Sequence, residues 1–258
     1  MKNPSYYDVE KTFLHGLRAR DIAEPLKSFD DEAPALRVKS VMQAHQITIA
    51  GIREAGEVTG YIQFDELGET GTCGRYGHPF DEASVLEDSA FMTDLVRALN
   101  KSPVVFIKLL GSVGGFVTRQ DLQDPPVRMW LFGMITSIEL RFVGLISQRF
   151  PQEDWRQLLS PSRIDKALEL QKERQRRNQH AGLLECLQFS DKAQIMVRDE
   201  ILRQQAGFAS RRRAEEVIKI LERLRNNLAH SQDIVAMDWE TIVQMSENLD
   251  RLVKIGVQ

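Results

Sequence analysis

The strongest constraint on the fold of this chain is an abrupt change of pattern at Asp124-Pro125-Pro126. Before this point the apolar residues change repeatedly between helical and strand-like spacing. After it, every long apolar pattern has the period of a helix. Adjacent prolines favour a boundary here, because proline fixes its own φ and restricts the residue before it. The sequence therefore predicts an α+β part followed by an all-α part.

The α+β part contains two copies of one pattern, spaced about 55 residues apart. Each copy is predicted to be a helix followed by two strands joined by a tight turn, and Gly56 suits such a turn. The predicted helices are 36–44 and 90–100, and the predicted strands are 46–52, 58–62, 104–110 and 113–118. Aligning Gly60 with Gly115 places Glu66-Leu67 over Asp121-Leu122. With so few matches, chance self-similarity remains an alternative.

The all-α part is predicted to contain helices at 127–149, roughly 162–180, 183–205, 210–230 and 239–255. The apolar run Val127–Ile146 is interrupted by Arg128, Glu139 and Arg141. Because charges are costly inside a bilayer, this run is interpreted as a buried or amphipathic helix and not as a membrane span. Residues 1–12 are predicted to be a polar arm.

Composition limits the possible partners and the compartment. The formal net charge is −3, so RNA binding would need a local basic patch. The two cysteines, Cys73 and Cys186, lie far apart, and no Cys/His cluster has zinc-ligand spacing. The N-terminus lacks the apolar core of a signal peptide. These features predict a cytoplasmic protein without a disulfide framework.

Arg225, Asn226 and His230 form the clearest candidate catalytic group. Arginine can hold a phosphate as a two-pronged donor, and histidine can exchange a proton near neutral pH. At about 100° per residue, Asn226 and His230 share a helix face, whereas Arg225 starts roughly 140° away from His230. A long arginine side chain or a second copy of the helix would have to close that gap. The alternative is an ordinary polar helix end, favoured by the helix dipole.

The segment resembles the Arg-polar-x-x-x-His motif of the HEPN family of helical bundles, over residues 126–258. The resemblance implies a metal-independent endoribonuclease that needs no cofactor for catalysis. Attack by the RNA 2′-hydroxyl would use His230 as general base or acid, Arg225 to stabilise the phosphate charge, and Asn226 to orient either. It also implies a homodimer, and a growth-arrest or antiphage toxin with an antitoxin as a further partner. Other HEPN members are inactive binding modules.

The segment Gly115–Leu122 reads Gly-Phe-Val-Thr-Arg-Gln-Asp-Leu and resembles an element of CBS domains. The resemblance covers residues 13–125 as a tandem pair and implies an adenine nucleotide as regulatory ligand. Thr118 would contact phosphate or ribose, Asp121 would accept from ribose hydroxyls, and Arg119 would reach phosphate. The first copy departs from the pattern, with Gln63 and Glu66 at the matching positions. The alternative is that Thr118 and Asp121 only cap a helix near Leu122.

Two arginine clusters that are not compensated by nearby acids are the candidate RNA contacts. The first is Arg174, Arg176 and Arg177, and the second is Arg211, Arg212 and Arg213. The remaining charges of 163–177 are interleaved and predict a solvated, salt-bridged helix face. No aromatic residues accompany either cluster, so base stacking is not indicated.

Together these patterns predict a nucleotide-regulated, metal-independent endoribonuclease with RNA and an adenine nucleotide as partners and no membrane association. The alternative is a non-catalytic regulatory protein that senses adenine nucleotides through the CBS-like pair. In that case the helical bundle serves dimerisation or the binding of RNA or protein.

Overall fold

A computed structural model describes residues 16–230 and 232–254, with the backbone alone at 237, 238 and 247–254. The predicted arm at 1–12 lies outside the described residues. The chain forms two compact units, Leu17–Val127 and the described residues from Arg128 onward.

The first unit contains two mixed four-stranded sheets and two α-helices. In chain order the strands are β1 (Glu24–Pro25), β2 (Ser28–Asp30), β3 (Ile49–Glu54), β4 (Glu57–Gln63), β5 (His78–Pro79), β6 (Val85–Glu87), β7 (Val104–Leu109) and β8 (Ser112–Thr118). The helices are α1 (Ala35–Ala44) and α2 (Met92–Lys101). The sheet orders are β2-β3-β4-β5 and β1-β8-β7-β6. This layout agrees with the α+β expectation from the CBS resemblance.

The internal repeat is confirmed by the positions of the hairpins. β3–β4 and β7–β8 begin and end at residues that differ by 55 in number. Both hairpins shift register at the same relative place, between Ile52 and Arg53 and between Ile107 and Lys108. Their turns also match, since Gly56 and Gly111 both have a φ of 89°. Agreement in bounds, register and turn geometry excludes chance self-similarity.

The two repeats exchange their edge strands. β1, which precedes the first repeat, pairs with β8 of the second, and β5, which precedes the second repeat, pairs with β4 of the first. Each exchanged strand pairs with a glycine of its partner strand, Gly115 on β8 and Gly60 on β4. A Cβ at Gly60 would lie 2.5 Å from the backbone oxygen of His78, and one at Gly115 would lie 3.2 Å from that of Glu24. The repeated glycine is therefore required by close backbone approach.

We expect Gly60→Ala to destabilise the protein by about 1–3 kcal/mol, because its Cβ would displace β5. Gly115→Ala is the matched control. Its Cβ would lie 3.2 Å from the backbone oxygen of Glu24, so β1 needs only a small shift, and the change also removes the backbone entropy cost of glycine. Urea unfolding of both variants measures the difference. Equal stabilities would show that the backbone contact at Gly60 is not a constraint.

Aromatic packing joins the two repeats through their sheets. The ring of Phe106 on β7 lies 4.7 Å from the rings of both Tyr61 and Phe80. On the outer face of the first sheet, α1 buries Val38 and Met42 against Ile62 and neighbouring apolar residues. Burial of these faces fixes the repeats against each other and holds the ends of β4 and β8 in place.

The second unit is helical, which confirms the predicted fold class. Its helices are α3 (Pro125–Arg149), α4 (Pro161–Arg176), α5 (Phe189–Arg198), α6 (Glu200–Gln205), α7 (Arg211–Ala229) and α8 (Ile234–Lys254). The predicted helix 210–230 agrees with α7 to within a residue at each end.

Several predicted bounds were wrong. The single helix predicted at 183–205 is a 3-10 turn at Leu184–Cys186 followed by α5 and α6. The break lies at Asp199, whose side chain accepts a hydrogen bond from the Leu202 amide and so caps a new helix. α4 ends at Arg176 and not near 180, α8 begins at 234 and not at 239, and β3 begins at 49 and not at 46.

The helix α3 is long and apolar enough to span a membrane by length and composition, with a mean hydropathy of 1.5 in its most apolar window. Of that window, 56% is buried within the protein. A single helix of this kind is weak evidence for a span, because the core helix of a soluble protein meets the same criterion.

Candidate functional sites

Thr118 and Asp121 meet at the end of β8. The Oδ2 atom of Asp121 accepts from the Thr118 amide at 2.6 Å and from its hydroxyl at 3.0 Å. Both side chains are half-buried. Asp121 thus closes the turn after β8, but neither side chain caps the 3-10 helix Gln120–Gln123, which has no side-chain cap. The Oδ1 atom of Asp121 accepts no hydrogen bond from the described residues. The Nε atom of Arg119 donates to the carbonyl of Leu99 at 2.9 Å, which anchors its guanidinium on α2.

Two acidic side chains, Glu24 and Asp124, lie near Asp121. Glu24 lies on β1, which pairs with β8, and Asp124 follows one turn after Asp121. Partial burial, then repulsion from Asp121 and Asp124, raises the pKa of the Glu24 carboxyl above its usual range. A concentration of acceptors suits a ligand that donates hydrogen bonds, such as the hydroxyls of a ribose. The acids disfavour a phosphate directly against Glu24.

The corresponding position of the first repeat has a different chemistry. Glu66 aligns with Asp121, and its Oε2 lies 2.6 Å from Nε2 of His78 on β5. His78 occupies the edge-strand position that Glu24 occupies in the second repeat. One repeat therefore has an acid–histidine pair where the other has two carboxylates. Neither His78 nor Glu24 was predicted as a site residue, because edge-strand exchange leaves no local pattern.

In the helical unit, Arg225 and Asn226 line one cleft of about 460 Å³. Arg225 is half-buried and Asn226 is exposed. His230 does not line this cleft. It lies exposed at the C-terminal end of α7, where its amide donates to the Asn226 carbonyl at 3.0 Å. One protomer thus brings two of the three predicted catalytic residues together.

The end of α7 is held by Arg128 of α3, which was not predicted as a site residue. Its guanidinium donates to the carbonyls of Asn227 and Leu228 at 3.1 Å and to that of Gln232 at 2.9 Å. Carbonyls at a helix C-terminus lack helical partners and carry the negative end of the dipole. Arg128 therefore satisfies these groups and fixes the backbone on both sides of His230.

The cluster Arg211–Arg213 is compensated within its own helix. Arg211 pairs with Glu215, and Arg212 and Arg213 pair with Glu216. The expectation that it lacked local acids was wrong, because the glutamates follow one helical turn later. Such exposed pairs are weak, so they would yield to a phosphate. Arg177 pairs with Glu173, whereas Arg176 is exposed without a partner among the described residues.

Metal ligands are not grouped in the described part of the chain. Among the residues that the structure describes, no three His, Cys, Asp or Glu side chains are placed to hold a metal ion.

No protein-family model and no curated protein matches this chain. It is similar to the CBS domain of the bacterial CNNM/CorC family Mg2+ transporter, at 17% identity and a TM-score of 0.37, covering 48% of this chain and 86% of that one. The structure of that domain in complex with ATP is similar at 16% identity and a TM-score of 0.36, covering 45% of this chain and 91% of that one. A hemolysin-like protein containing a CBS domain from Oenococcus oeni is similar at 9% identity and a TM-score of 0.36, covering 46% of this chain and 96% of that one. Similarity at this level carries no argument about ligands or partners.

Proposed function

We propose that this chain is a regulatory protein whose first unit binds an adenine nucleotide beside Asp121. In this proposal the helical unit serves dimerisation or the binding of RNA or a protein partner. The observation that carries the proposal is the half-buried Asp121 carboxylate, which keeps one oxygen without a partner among the described residues. A carboxylate in this state suits a pair of ribose hydroxyls.

The asymmetry between the repeats supports one nucleotide per chain. At the matching position Glu66 is engaged by His78 at 2.6 Å, so its carboxylate already has a partner. Because a ligand would have to displace that pair, the second repeat is the better site. The acids near Asp121 favour contact through the ribose, with the phosphates directed away from Glu24.

We expect ATP, ADP or AMP to raise the Tm of the full chain, because a ligand that binds only the folded state stabilises it. Asp121→Asn should weaken the binding by about tenfold or more, since it removes a charged acceptor of hydroxyl donors. Glu66→Gln is the matched control in the first repeat and should retain the Tm shift. Thermal shift and calorimetric titration give both values.

The proposal fails if no adenine nucleotide binds to the wild-type protein in either measurement. It also fails if Asp121→Asn binds as tightly as the wild type. Equal losses for Asp121→Asn and Glu66→Gln would assign binding to both repeats.

A metal-independent endoribonuclease is the second candidate, favoured by Arg225 and Asn226 in one cleft. Catalysis would need His230 to reach the same phosphate, for example through the His230 of a second protomer. Incubation of total RNA and tRNA in EDTA, with and without ATP, decides between the two functions. Cleavage that is lost in His230→Ala supports the enzyme. Intact RNA with a folded, dimeric wild type supports the binding protein.

A further inference from the structure

The cleft of the helical unit contains arginines that lack partners. Nearly all described arginines from Arg128 onward have a hydrogen bond, ion pair or ring contact. The exceptions among the described side chains are Arg174, Arg176 and Arg225. Two of these three, Arg174 on α4 and Arg225 on α7, line the same cleft and are half-buried. A partly desolvated guanidinium without acceptors is costly, so their convergence indicates an anionic ligand.

We propose that this cleft binds a phosphate ester, held between the guanidiniums of Arg174 and Arg225. The cleft volume of about 460 Å³ is sufficient for a nucleotide-sized group. Guanidinium groups match phosphate oxygens with two parallel hydrogen bonds, and two of them can neutralise a phosphate. The site lies wholly within the helical unit and is separate from the proposed nucleotide site at Asp121.

The rest of the cleft suits an ester better than a bare anion. Ser190 and Gln188 line it at the start of α5, where the helix dipole favours negative charge. Glu222 also lines it, is half-buried and makes no ion pair with the described residues, although Arg225 is only one helical turn away. A phosphate ester with free hydroxyls would satisfy the arginines with its phosphate and Glu222 with its hydroxyls.

Two of the three glutamates that line the cleft already have partners, because Glu139 pairs with Lys192 and Glu185 accepts from the Gly182 amide. Lys192, which is only 4% exposed, has its Nζ 2.6 Å from Oε1 of Glu139. Because the ammonium group of Lys192 and the carboxylate of Glu139 neutralise each other, the pair adds no net charge to the cleft. The ligand contacts are therefore assigned to Arg174 and Arg225, and Lys192 is assigned a structural role.

The test is fluorescence anisotropy of the full chain with a labelled single-stranded RNA dodecamer, in the Asp121→Asn background that weakens the proposed nucleotide site. Arg174→Met and Arg225→Met should each weaken binding by about tenfold or more, as expected for loss of a charge-assisted bidentate contact. Lys172→Met is the matched control. It removes one positive charge from the same helix, two residues before Arg174 and outside the cleft, and should change binding about threefold or less.

Competition identifies the source of the phosphate. Displacement of the RNA by AMP, lost in Arg174→Met, would assign the cleft to small phosphate esters. Resistance to AMP with the same variant effects would assign it to the RNA backbone, and either result supports the site. The proposal is overturned if the Asp121→Asn protein with an intact cleft binds neither RNA nor AMP, or if Lys172→Met weakens binding as much as Arg174→Met. Because Asp121 is absent throughout, failure here leaves the nucleotide proposal for the first unit untouched.

Discussion

Replacing Glu139 by alanine is expected to destabilise the protein by about 3–5 kcal/mol, the largest effect that we predict for a single substitution. Glu139 on α3 pairs with Lys192 on α5, with side chains 23% and 5% exposed. Removing the carboxylate leaves the ammonium group buried without a counter-charge. The protein must then retain an unpaired buried charge, expose it by opening α5, or give up its proton.

The double variant Glu139→Leu/Lys192→Met separates the pair's own contribution from the cost of an orphaned charge. Apolar side chains of similar volume often replace a buried ion pair with little change in stability. We therefore expect the double variant to be within about 1 kcal/mol of the wild type in urea unfolding. A single variant as stable as the wild type would contradict the burial of Lys192.

Arg128→Met is expected to cost about 2–3 kcal/mol of stability, because it removes hydrogen bonds from a charged donor to three backbone carbonyls. The effect should be concentrated at the end of α7. The amides of His230 and Gln232, which donate to Asn226 and Asn227, should exchange their hydrogens faster than those in the middle of the helix.

Arg128→Lys is the conservative control for that prediction. Lysine keeps the charge near the negative end of the helix dipole but cannot reproduce the planar fork of a guanidinium. We expect its stability to lie between those of the wild type and Arg128→Met. Unchanged exchange at His230 and Gln232 in Arg128→Met would show that the turn after α7 is held by other contacts.

Much of the first unit follows from local sequence. The glycine turn at Gly56, the alternating apolar residues of the two hairpins and the proline break at 125–126 each depend on neighbouring residues alone, so the repeat and the fold class were predictable. The bounds of 183–205 were not, because apolar spacing continues through Asp199 while its side chain caps a new helix. Capping competes with helix continuation, and the outcome depends on how each segment packs.

The residues of the candidate sites also fall into two groups, those that the sequence predicted and those that only the structure revealed. Thr118, Asp121, Arg225 and Asn226 were identified because each belongs to a short motif with interpretable chemistry. Glu24, His78 and Arg128 were not identified as site residues, since each meets its site through an exchanged strand or a packed helix distant in sequence. Arg128, for example, holds carbonyls about 100 residues later in the chain. Arg174 was identified only as a member of a basic cluster, and its place beside Arg225 in one cleft was not predicted.

The sequence by itself determined the fold class of each part, the 55-residue repeat with its two hairpins, and the residues able to hold a phosphate or accept from a ribose. Those properties depend on backbone preferences and side-chain chemistry, which act over a few residues. Only the tertiary structure decided that Glu66 is paired while an oxygen of Asp121 remains available, and that Arg174 joins Arg225 in one cleft. Such decisions depend on which distant side chains burial brings within hydrogen-bonding distance, and apolar packing is too non-directional to encode them locally.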